Sequence, residues 1–126
     1  MQIKEIKNRA NLKVIFTADE SILVSDMIGN TFSGAPIWTI APDDFEKEIG
    51  VTYDRAYQLS AITREPYYKD GKPSISVLLK REELKAIKIM INRLLNLWDE
   101  GDFSTMIGTE KAKVKELFEQ FAKYKF

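Results

Sequence analysis

The chain opens on alternation. Leu12, Val14 and Phe16 are interleaved with Lys13, Ile15 and Thr17, a period of two that suits a half-buried strand. Ala18-Asp19-Glu20-Ser21 then reads as a turn and Ile22, Leu23 and Val24 as a returning strand, so an N-terminal antiparallel hairpin or small sheet is expected. Residues 29–34 predict a loop, and residues 36–40, with Trp38, a third short strand. Pro42-Asp43-Asp44 reads as a helix start, because proline is tolerated in the first turn and acids there meet the positive end of the helix dipole. Gly50 is expected to end that helix and Thr52 to cap the next, over residues 53–62.

Beyond Pro66, residues 67–69 and 74–79 flank Asp70-Gly71. Asp-Gly suits a tight hairpin turn, since both turn positions need positive φ, so a second β-hairpin is predicted. The spacing changes after residue 80. Leu84, Ile87, Ile91, Leu94 and Trp98 recur at threes and fours, widened by Met90, Leu95 and Leu97, and predict a largely buried helix over residues 81–98. Val114, Leu117, Phe118 and Phe121 predict an amphipathic helix over residues 110–124, with Lys111, Lys113 and Lys115 on its other sides. The expected fold is therefore one α+β domain: a small N-terminal sheet, two short helices, a hairpin and two longer C-terminal helices.

Composition narrows the chemistry. The 126 residues, 44% apolar and 30% charged, can bury a single core. Met1 begins no long apolar run, so neither a membrane span nor a signal peptide is expected and the cytoplasm is the default compartment. There is no cysteine and no histidine. Disulfides, thiolate metal sites, thiol nucleophiles, the commonest general base and the commonest transition-metal ligand are thereby removed. Carboxylates, lysine, tyrosine, serine and threonine remain, but no cluster of them has catalytic spacing. A non-enzyme without metal or cofactor is the expectation. The 14 lysines, five arginines and 14 isoleucines suit an AT-rich genome, such as that of a low-GC bacterium or its phages.

Net charge is zero, yet segregated. Residues 1–16 carry +3, 17–54 carry −7 from eight acids and one lysine, 55–98 carry +5, and 99–126 carry −1. Such asymmetry bears on partners rather than on fold.

Residues 44–59 resemble the helix-turn-helix DNA-binding pattern. Ile49 closes a first helix, Gly50 makes the turn, Val51 plugs the core, and Ala56 and Leu59 anchor a second helix. The resemblance implies that Thr52, Tyr53, Asp54, Arg55, Tyr57 and Gln58 lie on or near the exposed side of a recognition helix. Arg55 and Gln58 would read guanine and adenine edges. The predicted hairpin would be a wing, with Arg64, Lys69 and Lys72 on phosphates, and a dimer would form through a C-terminal helix. Glu46 stands where the pattern usually carries a small residue.

The same segment supports a second reading. Asp19, Glu20, Asp43, Asp44, Glu46 and Glu48 could form an acidic face that occupies the basic surface of a host nucleic-acid-binding protein. Small phage inhibitors of host nucleases or defence systems, anti-CRISPR proteins among them, are similar in kind. Three smaller patterns point elsewhere. Tyr67 and Tyr68 with nearby lysines could stack on a single strand of nucleic acid. Asp99-Glu100-Gly101-Asp102 lacks calcium-loop spacing and reads as a polar turn with Gly101 as a C-cap. Gly29 to Gly34 lacks the Lys-Ser or Lys-Thr of a phosphate-binding loop.

Overall fold

The computed structural model describes residues 1–6, 10–33, 42–70, 73–97 and 99–124. The fold is α+β: a three-stranded antiparallel sheet with six helices. In chain order these are β1 (Gln2–Glu5), β2 (Asn11–Thr17), α1 (Ala18–Ser33), α2 (Pro42–Ile49), α3 (Tyr53–Asp70), β3 (Ser74–Lys80), α4 (Arg81–Leu95), α5 (Glu100–Ile107) and α6 (Lys111–Lys123).

The expected strand at residues 12–16 is the centre of the sheet, with order β1-β2-β3. Leu12, Val14 and Phe16 face Leu79, Val77 and Ile75 across the β2–β3 ladder. All six side chains are buried, whereas Lys13, Thr17, Ser74, Ser76 and Lys80 are exposed. One face of the sheet is therefore core and the other faces outward. Val24, Met27 and Ile28 of α1, Leu84, Ile87, Met90, Ile91 and Leu94 of α4, and Val114, Leu117 and Phe121 of α6 complete the core.

Four local expectations are corrected. Residues 18–24 are not a turn and returning strand but the start of α1. The cause is a reciprocal cap: the Glu20 amide donates to Thr17 Oγ1 at 3.1 Å, and the Thr17 amide donates to Glu20 Oε1 at 2.8 Å. That pair satisfies free donors of the first helical turn. The partner strand of the N-terminal hairpin is instead β1, with Gln2 opposite Ile15 and Glu5 opposite Leu12. The helix continues through residues 29–33, where a loop was expected; residues 34–41, including the expected strand with Trp38, lie outside the described residues.

The second hairpin is also absent. Residues 67–70 are the last turn of α3, which runs through Pro66, and β3 takes its ladder from β2. The alternation of Ile75, Val77 and Leu79 matches that of β2, so the non-local pairing buries three apolar pairs that a local hairpin would leave without a core. No wing is formed, and the single-strand platform expected on that hairpin goes with it. Finally, Gly101 lies in the first turn of an additional helix, α5, rather than capping its predecessor. Asp99 caps α5 by accepting from the Asp102 amide at 2.9 Å, and Gly108 closes it at φ +83°. The Asp99 carboxylate thus serves a helix terminus.

The seam between α1 and α3 positions the candidate site. Ser21, Ser25 and Gly29 recur every four residues on α1 and meet Ser60 and Thr63 of α3. Ser21 Oγ donates to the Thr63 carbonyl, and Ser25 Oγ donates to the Ser60 carbonyl at 2.8 Å. Small side chains let the two backbones approach; the Ser21 and Ser25 hydroxyls each find an acceptor on the other helix, and the buried Thr63 hydroxyl donates to the Leu59 carbonyl of its own helix at 2.9 Å. The pairing of 21 with 63 and 25 with 60 makes the two helices antiparallel.

Candidate binding face on helices α2 and α3

The turn between α2 and α3 is built as the sequence pattern requires. Gly50 adopts φ +103°, and its amide donates to the Glu46 carbonyl at 2.8 Å. That left-handed conformation favours a residue without Cβ. Thr52 Oγ1 accepts from the Arg55 amide at 3.1 Å, the expected N-cap of α3. Phe45, Ile49, Val51, Ala56 and Leu59 are all buried. The Phe45 and Tyr53 rings meet edge to face with centroids 5.3 Å apart, which closes the corner on its inner side.

Because α2 turns Phe45 and Ile49 inward, its remaining positions face solvent: Asp43, Asp44, Glu46, Lys47 and Glu48 are exposed. Glu48 pairs with Arg93 of α4 at 3.1 Å. Among the described residues, Asp43, Asp44, Glu46 and Asp54 form no ion pair. Along α3, Asp54, Tyr57, Ala61, Glu65 and Tyr68 are exposed and recur at intervals of three and four, so they share one side of the helix. Tyr57 and Tyr68 are 67% and 68% exposed, two aromatic surfaces on an otherwise polar, acidic stripe.

Two of the four cations proposed for DNA, Arg55 and Arg64, are paired within the chain. Arg55 Nε donates to Glu83 Oε2 at 2.5 Å, and Arg55 Nη1 donates to Gln58 Oε1 at 3.1 Å. Glu83 is only 3% exposed, and its other oxygen accepts from the Lys80 amide at 2.9 Å at the start of α4. The pair therefore ties α3 to the first turn of α4. Arg64 pairs with Asp26 of α1. Thr52 serves as a cap, while Gln58 is exposed beside Arg55. The side chain of Lys69 and all of Lys72 lie outside the described residues.

The six acids of the alternative face are not one patch. Asp43, Asp44, Glu46 and Glu48 share α2, beside the start of α3. Asp19 and Glu20 begin α1, level with residues beyond Thr63, because Ser21 bonds to Thr63. Some ten residues of α3 separate the two groups, about 15 Å at helical rise. Asp19 is exposed, but Glu20 is occupied: besides Thr17 it accepts from the α-ammonium of Met1 at 3.0 Å, which also donates to Gln120 Oε1 at 2.6 Å. Burial alone would raise the Glu20 carboxyl. The Thr17 amide, the charge and hydrogen bond of the Met1 ammonium and the Gln120 side chain outweigh it and hold the group below its ordinary value.

Asp54 and Tyr57, exposed on the first turns of α3, entered the sequence reading only as flanks of a recognition helix. What marks them as part of an acidic face is the orientation of α3, set by the buried Ala56 and Leu59. No helix among the described residues is long and apolar enough to cross a membrane. Comparison with known proteins finds no family model, no curated protein and no solved structure that matches this chain.

Proposed function

We propose that this chain is a non-catalytic binding protein that regulates or inhibits a protein partner through the acidic corner of α2 and α3. The partner is one whose own surface is basic, such as a nuclease or another nucleic-acid-binding protein of a bacterial host, the chain acting in the manner of small phage inhibitors. A single observation carries this reading: Asp43, Asp44, Glu46 and Asp54 are exposed without ion-pair partners among the described residues, and Tyr57 is exposed on the same side of α3 as Asp54, one turn further on. Exposed carboxylates together with an exposed tyrosine suit a cationic protein surface, where the acids speed encounter and the ring supplies contact area. Against the phosphates of a duplex the same acids are repulsive.

The test is affinity purification from a bacterial lysate treated with nuclease. The wild-type chain should retain a basic protein, and Asp43→Lys, Asp44→Lys and Glu46→Lys together should cut recovery about ten-fold or more. Undiminished recovery by the triple variant would sink the proposal.

DNA binding through α3 is the second reading, supported by the glycine turn, the Thr52 cap and the buried Ile49, Val51, Ala56 and Leu59. With Arg55 held by Glu83, base contacts would fall to Thr52, Gln58 and Tyr57. Titration of duplex DNA at low ionic strength should then show binding that weakens steeply with salt. Absence of salt-sensitive binding removes this reading.

A further inference from the structure

A groove of about 510 Å³ lies between α4 and α6, lined by Lys85, Lys88, Ile89, Asn92, Arg93, Phe118, Ala122 and Tyr124. We propose that it binds a nucleoside monophosphate, an anion carrying a flat ring. The volume lies in the range of small-molecule sites. Its chemistry divides in two. Lys85, Lys88 and Arg93 of α4 all line the groove, and no carboxylate is among its described lining residues. Lys85 and Lys88, with no opposing acid among the described lining residues, hold a positive potential in a concave space where field lines concentrate, while Arg93 is already paired with Glu48 of α2 at 3.1 Å.

The rest of the lining suits the ring. Ile89 and Ala122 are apolar, Phe118 and Tyr124 are aromatic, and Asn92 offers both a donor and an acceptor for the edge of a base. The Lys88 ammonium stands 5.9 Å from the centroid of Phe118, so one cation is already held at the boundary between the charged and aromatic halves. Glu48 of α2, which is not among the described lining residues, holds the Arg93 guanidinium. A phosphate near Lys85 and Lys88 with its base over Phe118 uses both halves at once. Inorganic phosphate uses only one.

The measurement is a titration of the isotopically labelled full chain with adenosine monophosphate, adenosine and inorganic phosphate, followed by amide shifts. Adenosine monophosphate should perturb α4 and α6 around Lys85, Lys88, Asn92 and Phe118, and bind about ten-fold or more tighter than either fragment. Lys85→Glu, at an exposed position, should weaken it about ten-fold without affecting the fold, whereas Lys13→Glu on the outer face of the sheet should not. Phe118→Leu should weaken the nucleotide and leave inorganic phosphate unchanged. The proposal is overturned by absence of groove shifts at millimolar nucleotide, or by equal affinity for inorganic phosphate. Equal loss in Lys13→Glu overturns it too, as does binding of an oligothymidylate without binding of the mononucleotide.

Discussion

At residue scale, Glu83 has two roles, one of which holds Arg55. One oxygen closes the first turn of α4 and the other receives Arg55 across the helix boundary. Removing one member of a buried pair strands the other, at several kcal/mol when both are enclosed; Arg55 is 38% exposed, so solvent reduces the loss. Glu83→Ala should therefore cost about 3 kcal/mol in urea unfolding, and Arg55→Ala about 1–2 kcal/mol. If Arg55 instead served mainly to contact DNA, Arg55→Ala would leave stability unchanged. Gly50 gives a second residue-scale prediction. A Cβ there would meet no atom within 4 Å, so the cost of Gly50→Ala is the left-handed backbone alone, about 1–2 kcal/mol. A larger loss on unfolding would point to a clash and hence to a different turn.

At the scale of elements, the start of α1 decides the N-terminal half. The motif Thr17-Ala18-Asp19-Glu20 has the spacing of a capping box, and this signal was available in the sequence; the run Ile22-Leu23-Val24 suggested a strand and obscured it. Thr17→Ala should cost about 1 kcal/mol. Glu20 adds a pH dependence whose sign is fixed by its lowered pKa. The folded chain binds a proton there less readily than the unfolded chain. The associated stability is complete above the ordinary carboxylate range and is lost as pH falls through the lowered value. Glu20→Gln should thus be less stable than wild type near neutrality and converge on it in acid. Parallel stability curves for the two proteins down to about pH 3 would contradict this linkage.

At the scale of the whole molecule, charge segregation along the chain becomes segregation in space only in part. The −7 segment is divided between the start of α1, where Glu20 is consumed by Met1 and Thr17, and the exposed corner of α2 and α3. The +5 segment supplies Arg55 and Arg64 to internal pairs and Lys85, Lys88 and Arg93 to the groove on α4. Partner capture through the corner should therefore weaken with added salt, as association steered by exposed charge does. The core is continuous from β2 to α6, and α5 joins it through Phe103, which is fully buried. Phe103→Ala should cost about 3–4 kcal/mol within one cooperative transition; a separate early transition would mean that α5 is not part of the same folding unit.

The sequence by itself determined the α+β class, strand β2, the boundary of α2 with α3, and helices α4 and α6. Each of these rests on a period or cap contained within a few neighbouring residues: alternation at Leu12 to Phe16, Gly50 with Thr52, and the apolar stripes at Leu84 to Leu94 and Val114 to Phe121. Tertiary structure alone decided where β3 pairs, because the choice between a local hairpin at Asp70-Gly71 and β2 is settled by burying Ile75, Val77 and Leu79 against a strand sixty residues away. It also decided which charged groups are left for a partner. Arg55 looks like a base reader in one dimension and in three is paired with the buried carboxylate of Glu83, which only packing brings to it. Asp43, Asp44, Glu46 and Asp54 remain at the surface because the apolar residues between them fill the core.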